Sequence, residues 1–122
     1  MATLEFFIPG EFTTLNEWIA ASNSNRHAAA QIKKVETRRA QLQARGVPPV
    51  QEYPVDLELT WYRENRKSDP DNIAFAIKFI LDGLQAAGVL RQDTWASVRT
   101  ICHRFEIDKQ NPGVQIVIKG RG

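Results

Sequence analysis

The sequence predicts one α/β domain of the α+β kind: a mixed sheet of about four strands, in the order β-α-β-α-β-β, with helices packed on it. Three observations predict it. The 122 residues suffice for a single core but not comfortably for two, so the whole chain, 1–122, is taken as one domain. Short segments with apolar residues at every second position alternate with longer segments of helical period. Apolar and charged fractions of 43% and 25% are those of an ordinary globular protein, which sets aside disordered, fibrous and membrane classes.

The elements follow in chain order. Leu4, Phe6 and Ile8 alternate before Pro9-Gly10, so a first strand ends in a turn there. From Thr14 to Arg45 the apolar residues Leu15/Trp18/Ile19 and Ile32/Val35/Leu42 recur at helical intervals. The polar stretch Ser22-Asn23-Ser24-Asn25 divides this region in two, and the longer piece runs from about Ala28 to Arg45. Gly46-Val47-Pro48-Pro49 stops it, because glycine suits a helix C-terminus and proline cannot extend one.

Val55, Leu57, Leu59 and Trp61 then alternate with Asp56, Glu58, Thr60 and Tyr62, the period of a strand with one buried face. Asp69-Pro70 opens a second helical region, since aspartate suits an N-cap and proline the first turn. Ile73, Ile77, Ile80, Leu81 and Leu84 carry it to Gly88. Val98–Ile107 and Val114–Lys119 read as strands joined by Asp108-Lys109-Gln110-Asn111-Pro112-Gly113, which predicts a terminal hairpin. Helices on one face would leave the other face, or an edge strand, open to a partner subunit.

A single cysteine, Cys102, rules out an intrachain disulfide and fits a reducing cytoplasm. The first eight residues show no basic segment followed by an apolar signal core, and no apolar run nears the roughly 20 residues of a membrane span. The expectation is a soluble cytoplasmic protein without a membrane partner. Net charge is +2, but residues 26 to 45 hold six basic side chains against Glu36 alone, a local +5 that leaves −3 on the rest. Lys33, Lys34, Arg38 and Arg39 are the leading candidates for phosphate contacts, and the alternative is a solvated helix face.

Asp69 and Asp71 flank a proline where a polar loop meets a helix. Two neighbouring carboxylates repel unless a cation lies between them, and magnesium favours one or two carboxylates completed by water and phosphate oxygens. The same residues are also good capping chemistry. Asp71, Lys78 and Asp82 share one helical stripe, with Lys78 and Asp82 within about 20° of Asp71 in a continuous helix. Lys78 and Asp82 read either as a surface ion pair at i,i+4 or as a lysine aimed at a metal-bound phosphate. His27, His103 and Cys102 form no zinc pattern. Trp18, Trp61 and Trp95 read as core or interface residues, with Trp95 near enough to Asp93 to shape a substrate opening.

The stretch Asp69-Pro70-Asp71-Asn72-Ile73, then Lys78-Phe79-Ile80-Leu81-Asp82-Gly83-Leu84, then Gly88-Val89-Leu90 and Asp93 resembles the core of the RusA family of Holliday junction resolvases. The match covers residues 66 to 98; the outer strands and basic helix agree only in order. The resemblance implies a homodimeric, magnesium-dependent endonuclease, with manganese as a substitute ion, that cuts four-way DNA junctions by paired nicks and occurs largely in phages and prophages. By position it implies Asp69, Asp71 and Asp93 as metal ligands and catalytic acids, with Lys78 as the catalytic lysine. Two departures stand out: Lys78 lies about two turns after Asp71 where the family's archetype has one, with Phe75 in the nearer place, and Asp93 lacks a neighbouring acid. Arg66 and Lys67, with Arg63, stand just ahead of the motif as candidate DNA contacts. The competing expectations are a catalytically silent DNA-binding or phage assembly module, and a nuclease for other branched DNA.

Overall fold

A computed structural model describes residues 3–120, so Met1 and Ala2 of the N-terminal reading lie outside the described residues. The elements are β1 (Thr3–Pro9), α1 (Leu15–Ser24), α2 (Arg26–Gln43), β2 (Val55–Arg63), α3 (Pro70–Ala74), α4 (Ile77–Ala86), β3 (Val98–Ile107) and β4 (Gly113–Gly120). The α+β class and four-stranded mixed sheet are as expected, with each of the two helical regions broken into two helices.

Local chemistry explains the first break. Thr14 caps α1 through a capping box: its hydroxyl accepts from the Glu17 N–H at 3.3 Å, and the Glu17 carboxylate accepts from the Thr14 N–H at 2.9 Å. Asn25 then stands in extended conformation, ends α1, and caps α2 by accepting from the His27 N–H at 2.7 Å. The second break falls at Phe75-Ala76, where the chain tightens into i→i−3 bonds such as Ala76 N–H to the Ile73 carbonyl at 3.2 Å. Phe75 and Phe79 both pack on Trp18 across this turn, with centroids 5.9 and 5.7 Å away.

The sheet order is β1-β4-β2-β3. β4 is antiparallel to both β1 and β2, and β3 runs parallel to β2 at the edge. The expected terminal hairpin is therefore not formed: the 108–112 turn carries the chain past the end of β2 and lays β4 on its other side. Burial accounts for the preference. Val114, Ile116 and Ile118 are all buried on the core face of β4, which an edge position would leave half open, whereas β3 is exposed along most of its length. Gly113 makes the crossing tight, since a β-carbon there would collide with the Ile8 carbonyl and the Phe7 ring.

Ile8, Val114 and Trp61 form one row across the sheet, Ile116 and Leu59 the next, and Ile118 and Leu57 a third. Ile73, Phe79, Ile80 and Leu84 cover these rows from the helical side. The opposite face is polar, with Glu58 paired to Lys119 at 3.1 Å and to Arg104 at 3.7 Å, and Gln115 donating to Glu5 at 2.8 Å. Among the described residues no helix is long and apolar enough to cross a membrane.

On α2 the inward stripe differs from the expected one. Val35 and Leu42 remain 47% and 40% exposed, while Glu36, Ala40 and the C-cap Ala44 are buried at intervals of one turn. The reason lies across the helix pair. Gly83 of α4 sits so close to α2 that a β-carbon would meet the Thr37 carbonyl and the Gln41 amide, each at 2.9 Å, and the Ala40 methyl. Only small residues fit that crossing, so the larger apolar side chains of α2 turn outward.

Candidate functional site

The parallel pairing of β2 and β3 sets Arg63 opposite Ile107, so both strands end at the same rim of the sheet. The chain leaving β2 there forms the 64–69 loop. It is tied down from the other side: the Glu64 N–H donates to Glu11 Oε2 at 2.7 Å, Arg63 Nη1 donates to the Phe12 carbonyl at 3.3 Å, and Arg63 Nε lies 3.5 Å from Glu11 Oε2. The Lys67 N–H donates to Asn65 Oδ1 at 3.0 Å, closing a local turn. A held loop thus delivers Asp69 to the start of α3.

Asp69 occupies the N-cap position, yet its carboxylate makes no capping hydrogen bond. Asp71 is exposed in the first turn, and neither carboxylate has a hydrogen bond or ion pair among the described residues. The capping explanation of Asp-Pro-Asp therefore accounts for the backbone of this turn but not for its side chains. Two unpaired carboxylates on either side of Pro70 are the oxygen donors that magnesium favours, with Asn72 beside them, and they leave room for water and phosphate oxygens. They fit the ion.

Asp93 stands elsewhere in this arrangement. Lys78 Nζ donates to Asp82 Oδ1 at 3.0 Å and to Asp93 Oδ2 at 3.5 Å, so the lysine spans two acids on the α4 side. Among the described residues no three acidic, histidine or cysteine side chains form a group that would hold a metal, so the expected Asp69, Asp71 and Asp93 set is not drawn together. Asp69 and Asp71 open α3, whereas Asp93 follows α4 in the chain and is engaged by Lys78. The hydrogen bond to Asp82 raises the pKa of Lys78 above its usual 10.5 despite some burial, and the charges of Asp82 and Asp93 act in the same direction. Lys78 is thereby held as a cation at neutral pH.

Two cavities meet at Asp69. One, about 580 Å³, is lined by Arg63, Asn65, Arg66 and Ser68 together with Pro70, Ile73, Phe105 and Ile107. The other, about 570 Å³, lies on the α1 side and is lined by Thr13, Asn16, Glu17, Lys67 and Asn72 among others. Arg66 borders the first and Lys67 the second, both exposed and without a side-chain partner among the described residues. Phe105, Glu106 and Ile107, expected only as the end of a strand, were not singled out as site residues, because nothing in β3 itself signals that its end will stand beside Asp69.

The basic helix divides into two roles. Lys33, Lys34 and Arg38 are exposed, and with Asp82 they line a shallow depression between α2 and α4. Arg39 is half-buried and engaged within the fold. Its guanidinium donates to Glu36 at 2.7 Å and to the carbonyls of Pro9, Gly10 and Glu11 at 2.9, 3.2 and 3.3 Å, and it lies 4.3 Å from the centre of the Phe12 ring. Expected as a phosphate contact, Arg39 instead clamps α2 to the end of β1.

Trp61 is buried in the core, and its Nε1–H donates to His103 Nδ1 at 2.9 Å, which requires that nitrogen unprotonated; burial lowers the pKa of His103. Trp18 packs against the core, whereas Trp95 is 96% exposed, so it takes no part in it. No protein-family model matches this chain, and no curated protein matches it.

Proposed function

We propose that this protein is a magnesium-dependent endonuclease acting on branched DNA, four-way junctions foremost, and that it works as a homodimer in the cytoplasm. The observation that carries the reading is the pair of exposed carboxylates Asp69 and Asp71 on a tethered turn beside the cations Arg66 and Lys67, all four side chains without a partner among the described residues. Exposed Glu64 and Glu106 also lack side-chain partners among the described residues, but Asp69 and Asp71 stand two residues apart at the start of one helix, beside Arg66 and Lys67.

Asp69 and Asp71 would hold magnesium, or manganese in its place, and Asp93 is the candidate third acid. The ion, when bound, supplies an activated water and offsets charge on the leaving oxygen. Arg66 and Lys67 would hold the DNA backbone on either side of Asp69, and Lys33, Lys34 and Arg38 would bind phosphates farther along. Lys78, already charged, would share its ammonium with a phosphate and leave Asp93 freer to act. Paired nicks across a four-way junction require two such sites, hence the dimer.

The separation of Asp93 from Asp69 and Asp71 favours a second reading, a DNA-binding module that does not cut. Incubating the protein with labelled four-way junction, flap and linear duplex, with and without magnesium, separates the two. Magnesium-dependent cleavage of junctions in preference to duplex is expected. Binding without cleavage of any substrate would overturn the nuclease in favour of the module. Replacing Lys33, Lys34 and Arg38 with alanine should reduce the salt dependence of junction binding by a slope of about 2 to 3.

A further inference from the structure

We propose that the cavity between the 64–69 loop and the end of β3 takes an unpaired nucleobase next to the phosphate handled at Asp69. The identity of the polymer rests on the nuclease reading above; the chemistry of the cavity stands on its own walls. Pro70, Ile73, Phe105 and Ile107 supply apolar surface, and Asn65, Ser68 and Glu106 supply hydrogen-bonding groups at the margin. Its volume of about 580 Å³ is within the roughly 300–1,000 Å³ of small-ligand sites. An apolar slot with an aromatic wall and a few polar groups is how proteins hold a base taken out of its stack.

Position selects this ligand among those that would fit an apolar slot. Asp69 lines both this cavity and the polar one on the α1 side, so an occupant here is contiguous with whatever Asp69 binds. Where Asp69 meets a phosphodiester, the neighbouring space belongs to the adjoining nucleoside. Arg66, exposed and without a partner among the described residues, stands at the same rim to receive the next phosphate. Asn65 and Ser68 line the cavity without charge and can exchange hydrogen bonds with the edge of a base. Ile107 is 42% exposed at the strand end, and a base would cover it.

A base stacked within a duplex cannot reach such a slot without unpairing, whereas one at a branch point or bulge is already released. The cavity therefore confers preference for DNA with unpaired bases, independently of any cutting. Binding is measured in EDTA, using a short duplex with a single bulged 2-aminopurine and the same duplex with that base paired. The expected result is about tenfold tighter binding of the bulged DNA, the scale of one base–aromatic stacking contact, with a change in 2-aminopurine fluorescence on binding.

Ile107→Asn, at a partly exposed strand end, should bring the two affinities within about twofold of each other. Phe105→Leu, which keeps an apolar side chain on the core, should do the same and remove the fluorescence change; thermal melts confirm that both variants fold. Equal affinity of the unmodified protein for the two DNAs, or a preference kept by both variants, would overturn the proposal. Magnesium-dependent cleavage is scored separately. Cleavage without bulge preference sinks the base pocket alone, and bulge preference without cleavage sinks only the nuclease.

Discussion

Glu36 and Asp69 are both carboxylates on the helical side of the sheet, and their surroundings are opposite. Glu36 is 6% exposed and fully engaged, accepting from the Thr13 N–H at 2.8 Å and from Arg39 at 2.7 Å, while Arg39 in turn binds three backbone carbonyls. The side chains of Asp69 and its neighbour Asp71 are exposed and engage nothing among the described residues. A buried charge must be paired and hydrogen-bonded to be tolerated, so the first cluster follows from folding alone. An exposed pair of like charges needs no partner for the fold to form and gains at most the small attraction of the helix N-terminus. The difference separates side chains that hold the protein together from side chains left available to a ligand.

The largest test of that contrast is Asp71→Asn. Loss of one carboxylate should lower magnesium-dependent junction cleavage by about 10²–10³-fold, the scale of removing one charge-stabilising group from an active site, with the melting temperature and metal-free junction binding unchanged. Unchanged cleavage would remove Asp71 from the site. Arg39→Ala should do the reverse. By stripping Glu36 and three carbonyls of their donor it should cost about 1.5–3 kcal/mol, seen as a melting temperature lower by about 5–10 °C, while the salt slope of DNA binding stays as it was. A reduced salt slope would return Arg39 to the DNA-binding face.

Gly83→Ala examines the join between the basic helix and α4. The added methyl has no room against Ala40 and the α2 backbone, so overpacking of about 1–3 kcal/mol is expected, measured by urea unfolding. An unaltered midpoint would mean that α2 can slide away at little cost. His103 gives the smallest effect. Its pKa is lowered by burial, so the unfolded chain takes up a proton more readily. Its contribution is present above the unfolded value near 6.5 and is lost as pH falls through the lower folded value. Urea midpoints should therefore decline below about pH 6.5, and His103→Gln should flatten that decline.

The strands were legible in the sequence because a period of two with one apolar face is a local signal. So was the break at Asn25, where a polar run interrupts helical spacing. The hairpin expectation failed because turn residues at 108–113 report that the chain bends and not which strand it joins; that choice depended on how much apolar surface β4 must bury. Val35 and Leu42 misled for a similar reason, since the inward face of α2 is selected by Gly83 on another helix. Of the candidate site, Asp69, Asp71, Arg66, Lys67 and Lys78 were visible by spacing and charge, while Phe105 and Ile107 were not.

By itself the sequence determined the α+β class, the helix and strand periods, the charge asymmetry and the Asp69-Pro70-Asp71 turn, because each is a property of residues close together in the chain. Tertiary structure alone decided which carboxylates are partnered, which arginine of the basic helix is tied to the backbone of β1 and its turn, and what stands beside Asp69. Those outcomes depend on β3 lying parallel to β2 and on α2 meeting α4 at a glycine, contacts between distant segments that are set by total burial and not by any local pattern.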